Sequence, residues 1–109
     1  VRDHRLIDER GLALAQAIAD RLRADHSLIA VARANLDRWL QTCSPRARLA
    51  LLEWQTALDE PVESVVALLT SSDERAVRLR QSNPFAGALP QKVRNEILLR
   101  FEARNAATR

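Results

Sequence analysis

Ser44-Pro45-Arg46-Ala47-Arg48-Leu49-Ala50-Leu51-Leu52-Glu53-Trp54-Gln55-Thr56-Ala57-Leu58-Asp59-Glu60-Pro61-Val62-Glu63-Ser64-Val65-Val66-Ala67-Leu68-Leu69 decides the fold class. Ser44-Pro45 is a helix start: the serine hydroxyl can accept from an unpaired amide of the first turn, and proline sets the helical φ where its missing N–H is harmless. From there Leu51, Trp54 and Leu58 recur at helical spacing, with Leu52 alongside, predicting a helix to about Leu58. Pro61 then opens a second, shorter helix carrying Val62, Val65, Val66 and Leu69. β-Branched side chains lower helix propensity, so this element depends on tertiary packing. Two helices within 26 residues, separated by a proline break, predict a bundle of short helices.

Working outward gives the same period. Upstream, Ile7, Leu14, Ile18 and Leu22 recur at one- or two-turn spacing, with Leu12, Ala15 and Ala19 widening the stripe, which predicts a long amphipathic helix from Asp3 to Ala24. Gly11 costs such a helix about 1 kcal/mol relative to Ala and is read as a close helix contact. Ser27 is the expected cap of a second helix, Leu28 to Leu40, with Leu28, Ala32, Leu36, Trp39 and Leu40 inward and Val31 on the flank. Downstream, Ser71 and Glu74 stand at capping-box spacing before a short helix bearing Val77 and Leu79. Pro90 opens the last helix, with Val93, Ile97, Leu98 and Phe101 on its buried face, and residues 104–109 are expected to fray. The expectation is a single all-α domain, a compact bundle of five to six short helices.

The chain has 109 residues, 47% hydrophobic and 28% charged, with two Gly, one Cys and sixteen Arg against one Lys. That balance belongs to a globular domain with one core. No apolar run is long enough to span a membrane, no signal-type stretch opens the sequence, and the lone Cys43 cannot form an internal disulfide; a bacterial, cytoplasmic protein is expected. Two isolated histidines and one cysteine do not make a metal set, and Gly11 and Gly87 stand alone, so neither a metal nor a nucleotide cofactor is implied.

The net charge of +3 is unevenly spread. Residues 1–70 carry nine basic and ten acidic side chains, whereas residues 71–109 carry eight and four, so the C-terminal third holds +4 against −1 elsewhere. Arg75, Arg78, Arg80 and Arg94 are the candidate partner-binding cations, joined by Asn83 and Phe85 of the irregular Gln81–Leu89 segment. Phe85 is read in two ways. It either plugs the core while Pro84 and Gly87 shape a turn, or it anchors an interface within a polar frame.

Arg21 and His26 form an R-x4-H pattern that resembles the helical HEPN ribonucleases, in which such a pair acts on the scissile phosphate; the match is two residues. A wider resemblance runs through Arg5-Leu6-Ile7-Asp8 with Leu12-Ala13-Leu14, Ala34-Asn35-Leu36-Asp37-Arg38-Trp39, Leu52-Glu53-Trp54 and Arg78-Leu79-Arg80-Gln81-Ser82-Asn83-Pro84-Phe85-Ala86-Gly87. These boxes look like a family of small bacterial helical proteins, similar to the partners encoded beside toxin genes in toxin–antitoxin modules. The resemblance implies a non-enzymatic antitoxin that neutralises a cognate toxin enzyme by direct contact. The alternative is a small nucleic-acid regulator that contacts DNA or RNA through the basic third.

Overall fold

A computed structural model describes the backbone of residues 4–107 and the side chains of residues 8–103. The described residues form six helices and no strand: α1 (His4–Ala24), α2 (Leu28–Leu40), α3 (Pro45–Ala57), α4 (Val62–Thr70), α5 (Glu74–Arg80) and α6 (Gln91–Ala107). The predicted bundle is therefore present, with α2 and α3 paired as a hairpin and α1 packed against α4, α5 and α6. Ile7 of the predicted α1 stripe lies outside the described side chains, as does the 104–109 end expected to fray, although α6 itself continues to Ala107.

The core follows the helical period. Ala15, Ile18, Ala19 and Leu22 of α1 are buried against Val65, Val66, Leu68 and Leu69 of α4 and the rest of one cluster. The β-branched α4 is held by the packing it was expected to need. Trp54 and Phe85 are the largest fully buried side chains, meeting edge to face with ring centroids 6.4 Å apart at 79°. Among the described residues α6 contributes one buried side chain, Ile97, with Val93, Leu98 and Phe101 only half-buried.

Helix starts were read correctly where proline stood beside serine. The Ser44 hydroxyl accepts from the Ala47 amide at 3.1 Å, with Pro45 at the first helical position. Elsewhere the caps move. Ser27 already has helical dihedrals and makes no side-chain cap; Asp25 instead accepts from the Ser27 amide at 3.0 Å and from its hydroxyl. The Ser71–Glu74 capping box does not form either. Ser71 closes α4, its amide bonding back to Ala67, and the cap of α5 is Asp73, whose carboxylate accepts from Ala76 N at 2.8 Å. A carboxylate both fills the unpaired amide and opposes the positive helix end, so it displaces the serine two residues upstream. Pro61 likewise sits one position outside α4, as its N-cap.

Two packing expectations are corrected. A Cβ on Gly11 would meet nothing within 4 Å, so the glycine marks open space and no close helix contact. The inward face of α2 is Ala32, Asn35 and Leu36, while Leu28, Trp39 and Leu40 are half-buried at the edge of the core.

Candidate interaction surface

Asn35 is the buried polar residue on which the candidate region is built. Its amide nitrogen donates to the carbonyls of Pro84 at 2.8 Å and Ala86 at 2.9 Å, and its oxygen accepts from Arg38. A buried amide is tolerated only when its donors are used, and here both are spent on a segment 50 residues away. The same segment is shaped locally by Asn83, whose side-chain oxygen accepts from Phe85 N at 2.9 Å. A turn follows, closed by Ala88 N donating to Phe85 O, with Gly87 at φ +88° in the place where a type II turn requires a left-handed residue. Phe85 is 1% exposed. Of the two readings of Phe85 the structure has the core plug, so this side chain offers no anchor to a partner, and Asn83 is half-buried as a turn former.

Arg80 is also an internal brace. Its NH1 donates to Leu68 O at 3.2 Å and Ser71 O at 2.6 Å, closing carbonyls at the end of α4 that the helix leaves unpaired. Burial pulls its pKa below the ordinary guanidinium value, opposed by Asp73 and Asp8 nearby. At the preceding residue, Trp54 Nε1 donates to Leu79 O at 2.8 Å and ties α3 to the end of α5.

Arg75 and Arg78 lie on the outer side of α5 and share one carboxylate. Arg78 bridges both Glu53 oxygens, NH1 to Oε1 at 3.1 Å and NH2 to Oε2 at 3.2 Å, while Arg75 Nε stands 3.4 Å from Oε2. The hydrogen bond from Arg78, followed by the charges of Arg78 and Arg75, holds the Glu53 carboxyl below its usual pKa against the opposing cost of desolvation. These side chains are 55% (Arg75), 52% (Arg78) and 37% (Glu53) exposed, so the cluster is a surface feature with two cations for one anion. Arg94 is exposed on α6.

The six predicted site residues thus divide. Arg75, Arg78 and Arg94 face solvent, whereas Arg80, Asn83 and Phe85 are used inside the fold. Asn35 and Glu53 stand in the Ala34–Trp39 and Leu52–Trp54 boxes without an assigned role, although the place of Asn35 between Ala32 and Leu36 on the inward stripe is a signal. Arg21 and His26 are both exposed, and no hydrogen bond or ion pair joins them among the described residues. Both lie near Asp25, whose carboxyl is held below its usual pKa first by the Ser27 hydroxyl, then by the Ser27 amide. No group of three or more potential metal ligands occurs among the described residues, and no described helix is long and apolar enough to cross a membrane. No family model, curated protein or solved structure matches the chain.

Proposed function

We propose that this chain is a non-enzymatic protein-binding module of the bacterial cytoplasm, an antitoxin that neutralises a cognate toxin enzyme by direct contact. The observation that carries the reading is the Arg75–Arg78–Glu53 cluster: two half-exposed guanidiniums held on one carboxylate, leaving a net positive charge and unused planar donors. Such donors suit acidic residues around an enzyme's active-site entrance. The helix that carries them is pinned by the Asp73 cap and by Trp54 on Leu79, so little ordering cost opposes binding.

Co-expression with the product of the neighbouring gene tests this. The wild-type chain is expected to co-purify with that protein and relieve its toxicity, and the double charge reversal Arg75→Glu/Arg78→Glu is expected to weaken binding about tenfold or more while the fold is retained. Failure of the wild-type chain to bind or protect overturns the reading. The second reading, a nucleic-acid regulator, draws on the +4 charge of residues 71–109. It predicts a mobility shift that weakens steeply between two salt concentrations, which a purely protein-binding antitoxin does not give.

A further inference from the structure

Between α1 and α5 lies a cleft of about 180 Å³, lined among others by Asp8, Arg10, Gly11, Leu14, Val77 and Arg80. It is separate from the Arg75–Arg78–Glu53 cluster and independent of the antitoxin reading. Its walls differ in chemistry: Leu14 and Val77 are apolar, Arg10 and Arg80 are cationic, and Asp8 balances one of the two charges. The missing side chain at Gly11 leaves the space open, since a Cβ there would touch nothing.

Arg80 is oriented by its structural bonds. NH1 gives its hydrogens to Leu68 O and Ser71 O, so the Nε and NH2 edge, which has no hydrogen bond among the described residues, is the fork left over. That side-on edge is the one that takes a carboxylate in two parallel hydrogen bonds. We infer that this cleft binds a monocarboxylate on a short apolar stem, with Arg80 gripping the carboxylate, Arg10 adding long-range attraction, and Leu14 and Val77 holding the stem. The lining carries +1 in all, with Asp8 within it and Asp73 outside it both acting on Arg80, so Arg10 supplies the unbalanced positive charge. The volume is a little larger than the roughly 150 Å³ that holds a benzene ring, so one ring or branched chain fits inside it. The carboxylate belongs either to a free acid or to an acidic side chain of a protein.

Backbone-amide NMR titration of the full chain distinguishes these sources, with phenylacetate as the free acid, phenylacetamide as its uncharged twin and a capped Ala-Glu-Ala peptide as the protein-borne carboxylate. Saturable shifts at Gly11 and Val77 are expected, with an affinity of about millimolar for so small a ligand. A response to phenylacetate assigns a free acid, and a response to the peptide alone assigns a protein side chain. Arg80 braces α4, so the variants avoid it. Arg10→Gln is expected to weaken binding about threefold, and Gly11→Leu, which grows a side chain into the cleft, to abolish it while the rest of the spectrum is preserved. Equal response to acid and amide, no saturable response to either carboxylate, or undiminished binding by Gly11→Leu overturns the proposal.

Discussion

Replacing Asn35 by Ala should cost about 2–4 kcal/mol, because one buried side chain closes the chain across half its length. Two hydrogen bonds, to Pro84 O at 2.8 Å and Ala86 O at 2.9 Å, contribute about 1 kcal/mol each. The Pro84 carbonyl is then left buried without a donor, which raises the share of that bond to about 1–3 kcal/mol, whereas exposed Ala86 can turn to water. The Arg38 contact is part-buried, and the exposed arginine can turn to water when it is lost, so it adds little. For a domain of this size the loss corresponds to a fall in Tm of about 10–25 °C. Urea unfolding followed by tryptophan fluorescence reads it, since Trp54 is buried edge-on to Phe85 in the segment concerned. A loss below about 1 kcal/mol with an unchanged m-value refutes the assignment of Asn35 as the clamp. A double-mutant cycle with Trp54→Phe, read by far-UV circular dichroism because that variant removes the fluorescent reporter, sharpens the test: Trp54 holds Leu79 O and Asn35 holds residues 84 and 86, so a coupling of at least about 0.5 kcal/mol is expected, and strict additivity means the 79–88 segment is not one unit.

Gly11→Ala is expected to stabilise the fold by about 0.5–1 kcal/mol, because the added methyl meets nothing and α1 loses a flexible residue; thermal unfolding checks it, and destabilisation refutes the open-space reading. Ser44→Ala should cost about 1 kcal/mol in chemical denaturation, and Ser27→Ala much less, since only Ser44 caps a helix with its side chain. Glu53→Gln should lower stability by no more than about 1 kcal/mol at neutral pH, the pair being well exposed. The Glu53 carboxyl is depressed in the folded state, so its contribution is present above the ordinary value of 4.5 and is lost as pH falls through the folded value; the two stability curves should converge in acid. Arg33→Met should cost about 1 kcal/mol by removing the donor to Leu58 O at 3.0 Å, read as a shift in urea midpoint.

Fold class was legible because the apolar period is helical throughout and prolines and serines punctuate it; Leu51, Trp54 and Leu58 are buried as their spacing required. The caps were less legible. Ser71 and Asp73 compete for one helix start, and the winner depends on where α4 ends, which the local pattern does not encode. The candidate site was least legible. An arginine next to an irregular segment reads as surface, and nothing local says that Arg80 turns onto α4 or that Asn35, 49 residues before Pro84, supplies its donor. Phe85 is a core residue in a loop for the same reason: its partner, Trp54, is distant in sequence.

Three of the sixteen arginines have a structural use that net charge conceals. Helices commonly end on a glycine whose left-handed turn lets backbone amides satisfy the last carbonyls. This chain has two glycines, and neither ends a helix. The carbonyls are met from the side instead: Arg48 reaches Leu40 O of α2 in a long bond of 3.4 Å, Arg33 reaches Leu58 O after α3, Arg80 reaches Leu68 O and Ser71 O of α4, and Trp54 reaches Leu79 O of α5. A cation at the negative end of a helix is favourable in its own right, and a guanidinium can serve two carbonyls at once, which an ammonium on a flexible stem does less well. At these three places arginine meets carbonyls that a glycine cap meets elsewhere. Cations so employed have fewer donors left for a partner: among the six candidates Arg75, Arg78 and Arg94 brace no carbonyl, one carboxylate already engages two of them, and Arg80 keeps only its Nε and Nη2 edge.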